Sequence, residues 1–111
     1  MTDCIFCKIG AGEIPADIVA ETEDVIAFRD IAPKAPVHVL VAPKAHAPNV
    51  AAAAREMPEV LARMAIVAQQ VADAECDGEF RLIFNTGPSA GQTVFHVHGH
   101  IMNGGALGWS A

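Results

Sequence analysis

Three histidines in strict alternation, His96-Val97-His98-Gly99-His100, constrain this chain more than any other feature of its sequence. In an extended strand, residues two apart share a face, so the three imidazoles would line one side over about 13 Å, at about 3.3 Å per residue. Val97 and Ile101 would then point the other way, into a core. Each imidazole carries two polar nitrogens that need partners. A row of three on an otherwise apolar strand therefore implies a task beyond packing. Two chemistries compete for it. Histidines at i and i+2 can share one zinc, with bonds of about 2.0–2.1 Å. Three spread along a strand suit an extended anion better, such as a phosphate joined to a leaving group. His38 and His46 are the remaining histidines of the chain.

The rest of the sequence surrounds this strand with a small α+β pattern. Residues 4–12 read as a short helix ended by Gly10, Gly12 and the Ile14-Pro15 pair. Two short runs rich in β-branched and apolar residues, 18–20 and 25–28, flank the turn residues Glu23-Asp24 and predict a hairpin. A third strand, 37–42, lies between Pro36 and Pro43. Residues 58–76 give the clearest helix: Val60, Leu61, Met64, Val67, Ala68 and Val71 fall at three- and four-residue steps, and Pro58 suits its first turn. A strand at 80–85, a Gly/Pro-rich turn and a final strand over 93–102 complete a mainly antiparallel sheet.

With 111 residues the chain is long enough for one domain and too short for two. Hydrophobic residues make up 52% of it, which excludes a disordered tail and leaves apolar surface that a second subunit could cover. No apolar run reaches the roughly 18 residues that a membrane span needs. The opening MTDCIFCKIG does not read as a secretory leader, so the expectation is a cytoplasmic protein with no membrane partner. The net charge of −6 argues against a broad nucleic-acid footprint, while leaving room for a single phosphate in a local pocket. Cys4 and Cys7, spaced C-x2-C, point to metal or redox chemistry in a reducing compartment.

The H-x-H-x-H stretch, preceded by Gly91-Gln92-Thr93-Val94-Phe95, resembles the histidine triad (HIT) family. So do Phe28-Arg29-Asp30-Ile31 and the run from Pro36 to His46, and the ending Gly104-Gly105 through Trp109 is similar to its HINT branch of nucleoside phosphoramidases. The resemblance spans nearly the whole chain. It implies an antiparallel five-stranded sheet with one long and one short helix, continued across a homodimer. One departure stands out: Gly99 replaces the apolar residue usual between the second and third histidines, which should loosen the strand.

The resemblance also implies roles. His98 would attack the α-phosphorus of a nucleotide, forming a nucleotidyl-histidine that water hydrolyses, with its second ring nitrogen held by an acceptor such as a strand carbonyl. His100 and His38 would donate to the phosphate oxygens. Gly91, Gln92 and Thr93 would present donors to the leaving group, Asp30 and Asn85 would hold the ribose, and Phe28 and Ile31 would wall the base pocket. Cys4, Cys7, His46 and His96 would bind a structural zinc on which catalysis does not depend. Trp109 would reach the active site of a dimer partner. The substrate so implied is a purine nucleoside 5′-phosphoramidate. A dinucleoside polyphosphate, or a nucleotide-binding regulatory role without turnover, are the alternatives.

Overall fold

A computed structural model describes residues 4–105 and 107 of the chain. Five strands, β1 (Ile18–Glu21), β2 (Val25–Arg29), β3 (Val37–Pro43), β4 (Arg81–Phe84) and β5 (Gly99–Asn103), form one antiparallel sheet in the order β1-β2-β3-β5-β4. The helices are α1 (Ile5–Gly10), α2 (Val50–Glu56) and α3 (Pro58–Cys76), with a 3-10 turn at Pro88–Ala90. The α+β class, the five antiparallel strands, the long helix and the short N-terminal helix match the expectation. Trp109 lies outside the described residues.

The period-two pattern of β2, β3 and β5 divides the molecule into two layers of packing. Val25, Ala27, Val39, Val41 and Ile101 point to one face, where Met64, Val67, Ala68 and Val71 of α3 bury them. On the opposite face, Ile26, Phe28 and Leu40 meet Phe6 and Ile9 of α1. Because both faces of the central strands are covered, β2 and β3 read as nearly continuous apolar runs rather than alternating ones. His38 and His100 lie on the α1 face, since His100 pairs directly with Leu40 and His38 sits two residues before it. The sheet thus supplies a rigid floor on which these rings are fixed.

Three features differ from the sequence expectation. Strand β5 begins at Gly99, so His96 and His98 precede the ladder instead of lying within it. The last pair on this side is Val41↔Gly99; continuing that register would set Val97 opposite Pro43, which has no N–H to give. The chain compensates by other bonds. Val97 N–H donates to the Ala47 carbonyl at 2.7 Å, and the His96 ring reaches the Pro43 carbonyl.

The second difference is α2. Asn49 caps it, its side chain accepting from the Ala52 N–H at 2.9 Å. The helix stops at Met57, the residue before Pro58, where the helical conformation is disfavoured. Ala52 and Ala53 of α2, with Ala47, bury Val97.

Gly99 does not leave a gap. A methyl group on it would sit 2.8 Å from Cδ1 of Leu82 and 3.1 Å from the Phe84 ring. Those β4 side chains occupy the space, so the expected loosening is replaced by close packing across β4 and β5.

Candidate active site and metal centre

Hydrogen bonds to backbone groups of fixed polarity determine which nitrogen of each histidine carries the proton. His98 Nδ1 lies 2.7 Å from the His96 carbonyl oxygen. A carbonyl only accepts, so Nδ1–H donates, and in the neutral ring the lone pair lies on Nε2. This is the kind of acceptor that the family resemblance implies for His98, supplied by the chain two residues earlier. The His98 ring is half-buried, held edge-on by Phe6 at a centroid distance of 4.9 Å and by His100 at 5.1 Å. Phe6 was absent from the sequence-derived site. Its signal was its place between Cys4 and Cys7.

A second chain of bonds orients His100. The Lys34 N–H donates to His38 Nδ1 at 2.9 Å, so neutral His38 bears its proton on Nε2. That Nε2 lies 2.9 Å from His100 Nδ1 and 3.4 Å from Asp30 Oδ2. His100 Nδ1 therefore accepts, and its Nε2 carries the N–H available to an incoming oxygen. His38 is buried with both nitrogens engaged. Its task here is to fix His100, not to donate directly to phosphate as the sequence reading had it. Asp30 also caps its own turn, Oδ1 accepting from the Ala32 N–H at 2.8 Å.

Burial keeps these rings neutral. Desolvation, with the nearby His98 and His38, pushes His100 down to about 4 against an ordinary 6.5, Asp30 opposing weakly. Burial also lowers His38, again against the pull of Asp30. The consequence for stability has a definite sign. Above about pH 6.5 the rings are neutral folded or unfolded; below it the unfolded chain takes up protons that folded His100 refuses until about pH 4. Stability should therefore fall steadily as pH drops from about 6.5 to about 4. Denaturant titrations at pH 7 and pH 5 should show this loss, and His100→Asn should make it smaller.

The remaining candidates are distributed as follows. Phe28 is buried against Phe6, with ring centroids 5.3 Å apart, and Ile31 beyond it is fully exposed at 102%. Asn85 Nδ2 donates to the Ala90 carbonyl, bridging the 85–91 loop that turns through Gly87 and Gly91, both at positive φ. Thr93 is exposed. Gln92 is a correction: it is buried, with Oε1 accepting from Gly87 N–H and Nε2 donating to the carbonyls of Pro48 and Val94. Its side chain shapes the loop and has no donor left for a leaving group.

Beside this row lies a four-residue cluster. His96, fully buried, donates from Nε2 to the Pro43 carbonyl at 2.7 Å, which leaves its Nδ1 lone pair pointing away from that bond. Around Nδ1 stand Cys4 Sγ at 3.3 Å, Cys7 Sγ at 3.4 Å and His46 Nδ1 at 3.2 Å, with Cys7 Sγ to His46 Nδ1 at 3.5 Å. A tetrahedron with bonds of about 2.0–2.1 Å to nitrogen and about 2.3 Å to sulfur has N···N edges near ~3.3 Å and N···S edges near ~3.6 Å. The spacing of these donor atoms matches it closely. Cys4, Cys7, His46 and His96 can hold a metal ion, and a set of two sulfurs and two imidazoles suits a borderline-soft cation.

The family model described as "HIT domain" matches residues 11–106. The chain is 44% identical over 108 residues to the purine nucleoside phosphoramidase of Escherichia coli K12, covering 96% of this chain and 91% of that protein. Among solved structures, a HIT family hydrolase from Legionella pneumophila superposes with a TM-score of 0.90 at 42% identity, covering 96% of this chain and 97% of that one. A zinc-bound histidine triad family protein from Mycobacterium smegmatis superposes with a TM-score of 0.81 at 34% identity, covering 92% and 75% respectively.

Proposed function

The chain belongs to the HIT family, and from that premise we propose that it is a hydrolase of purine nucleoside 5′-phosphoramidates working through a nucleotidyl-histidine on His98. One observation carries this reading: the 2.7 Å bond from His98 Nδ1–H to the His96 carbonyl, which in the neutral ring places the lone pair on Nε2. Nε2 attacks the α-phosphorus, the bond to the amine breaks, and the amine nitrogen departs after taking a proton from solvent water. Water then cleaves the phosphorus–nitrogen bond to His98 and restores the ring. His100, held by the Lys34–His38 chain, donates its Nε2–H to a non-bridging oxygen as negative charge develops. Asp30 and Asn85 receive the ribose. The exposed Ile31 and the edge of Phe28 take the base, and Gly91 and Thr93 lie beside the leaving group.

Zinc is the ion we assign to Cys4, Cys7, His46 and His96, in agreement with the donor set and the zinc-bound relative. When bound it supplies a fixed cross-link between the N-terminal segment and the sheet. We read the chain as one HIT domain over residues 1–111 that functions as a homodimer. The outer strand β4 has a pairing partner on one side only among the described residues, and apolar Ile66 stands exposed on α3. Trp109 would reach across to the partner. We place the protein in the cytoplasm, where Cys4 and Cys7 stay reduced, without nucleic-acid or membrane partners. Its acidic charge opposes the first, and among the described residues no helix is long and apolar enough to cross a membrane.

Side-by-side kinetics with a fluorogenic AMP-amine and a dinucleoside tetraphosphate test the substrate class. The phosphoramidate should have the higher kcat/KM by at least about tenfold. A preference for the tetraphosphate would replace the substrate assigned here. Tight AMP binding with no release from either compound would make the protein a nucleotide-binding module.

A further inference from the structure

We propose that the Cys4–Cys7–His46–His96 cluster acts as a positioning device for the nucleophile, with His96 as the shared residue and Phe6 as its second arm. This inference rests on the reading of His98 as the attacking group. His96 faces two ways. Its ring Nδ1 looks into the cluster, 3.2–3.4 Å from three other donor atoms, while its main-chain carbonyl accepts the Nδ1–H of His98. Metal bound by the ring therefore fixes the residue whose carbonyl selects the His98 tautomer. Because His96 and His98 precede the β5 ladder, interstrand pairing does not hold that carbonyl in place. Among the described residues it is anchored by the His96 ring and by the Val97 N–H on Ala47.

The second arm is α1. Phe6 sits in sequence between the two cysteines and packs edge-on against His98 at 4.9 Å and 85°, and against His96 at 5.9 Å and 69°. Drawing Cys4 and Cys7 onto one ion sets the position of the helical turn that carries this ring. Buried Phe6 then limits how far the His98 imidazole can rotate about its side-chain bonds. Both arms converge on one ring, so the cysteines and the nucleophile are not separable in the way the family resemblance implied. His96 and Phe6 are positioning residues: they act through His98.

Histidine tautomers, read by long-range 1H–15N correlation on 15N-labelled protein, give a readout that does not depend on turnover. In the zinc-loaded protein His98 should be a single Nδ1–H form. Stripping the metal with a chelator, with sheet amides confirming that the fold persists, should introduce the Nε2–H form. The single-turnover rate of adduct formation should fall about tenfold with KM nearly unchanged, and returning zinc should restore both. Phe6→Leu in zinc-loaded protein, which keeps all four metal donors, should shift the tautomer and rate in the same direction. It decides the matter should the stripped protein unfold. An unchanged His98 tautomer and rate in folded metal-free protein, or in Phe6→Leu, would overturn the proposal. Absence of any adduct on His98 in the loaded wild type would instead remove the proposed function, while the tautomer spectrum would still report on the coupling.

Discussion

Replacing His98 by glutamine should lower kcat for phosphoramidate hydrolysis by at least about 10⁴-fold, because removing the nucleophile removes the reaction path and not one increment of it. The fold should survive. His98 is half-buried, lies outside the β5 ladder, and among the described residues its side chain hydrogen-bonds to the nearby His96 carbonyl, which a glutamine amide can also reach. Nucleotide affinity should change little, since the proposed ribose and base contacts come from Asp30, Asn85 and Ile31. A stopped assay of AMP release, paired with a thermal melt and an AMP titration, separates these effects. His100→Gln makes a useful contrast, with an expected loss nearer about 10²-fold, the cost of one misplaced donor to a developing charge. Equal losses for the two variants would mean that neither ring has the distinct role given to it.

The other large effect concerns stability. Cys4→Ser combined with Cys7→Ser should abolish zinc binding and lower Tm by roughly 10–20 °C. Hydroxyls are poor ligands for this ion, and the binding energy of a folded-state metal site is folding energy. Helix α1 has only six residues, well below the length at which a helix is stable by itself. It is held by Phe6 and Ile9 against Ile26, Phe28 and Leu40, and by the cysteines against His46 and His96. Removing the second set leaves His96, fully buried, with its Nδ1 lone pair facing hydroxyls in place of a cation. Melting curves with metal analysis on the same samples test this. A variant without zinc whose Tm matches the parent would make the cluster dispensable to the fold.

Much of this architecture was legible in the sequence because it rests on periodicity. The spacing of Met64, Val67, Ala68 and Val71 marks α3 unambiguously, and short apolar, β-branched runs bounded by turn residues and prolines mark β2 and β3, whose two faces are both covered. Alternation also placed the rings of His98 and His100 side by side, as the 5.1 Å centroid distance bears out. It overestimated the strand itself: periodicity in β5 continues back to His96, while pairing stops at Gly99. What ends it is the missing N–H of Pro43 on the neighbouring strand, a long-range fact that local pattern does not carry. Helix α2 escaped notice because Ala51–Ala54 has no polar/apolar contrast from which to read a period. Its real signals were Asn49 as a cap and the strong helix preference of alanine.

Site chemistry was legible where it depends on residue type and less so where it depends on direction. Cys4 and Cys7 are marked by their C-x2-C spacing, His46 and His96 by the family resemblance, and the structure brings all four together. Three other readings turn on geometry. His38 looks like a phosphate ligand in sequence, yet its nitrogens face Lys34 and His100. Gln92 looks like a donor to substrate, yet its amide is enclosed by Gly87, Pro48 and Val94. Gly99 looks like a deletion in the core, yet Leu82 and Phe84 fill the space. In each case a tertiary neighbour decides what the side chain does, and its identity lies many residues away.

The central claim is that Nε2 of His98 attacks phosphorus, and the most direct measurement is capture of the covalent intermediate. The protein is mixed with an excess of AMP-amine, quenched within the first turnover, and analysed by intact mass and then by peptide mapping. One AMP-sized adduct per chain should appear, map to His98 and vanish in His98→Gln. An adduct mapped to His96 or His100, or rapid AMP release with no adduct at any quench time, would contradict the account.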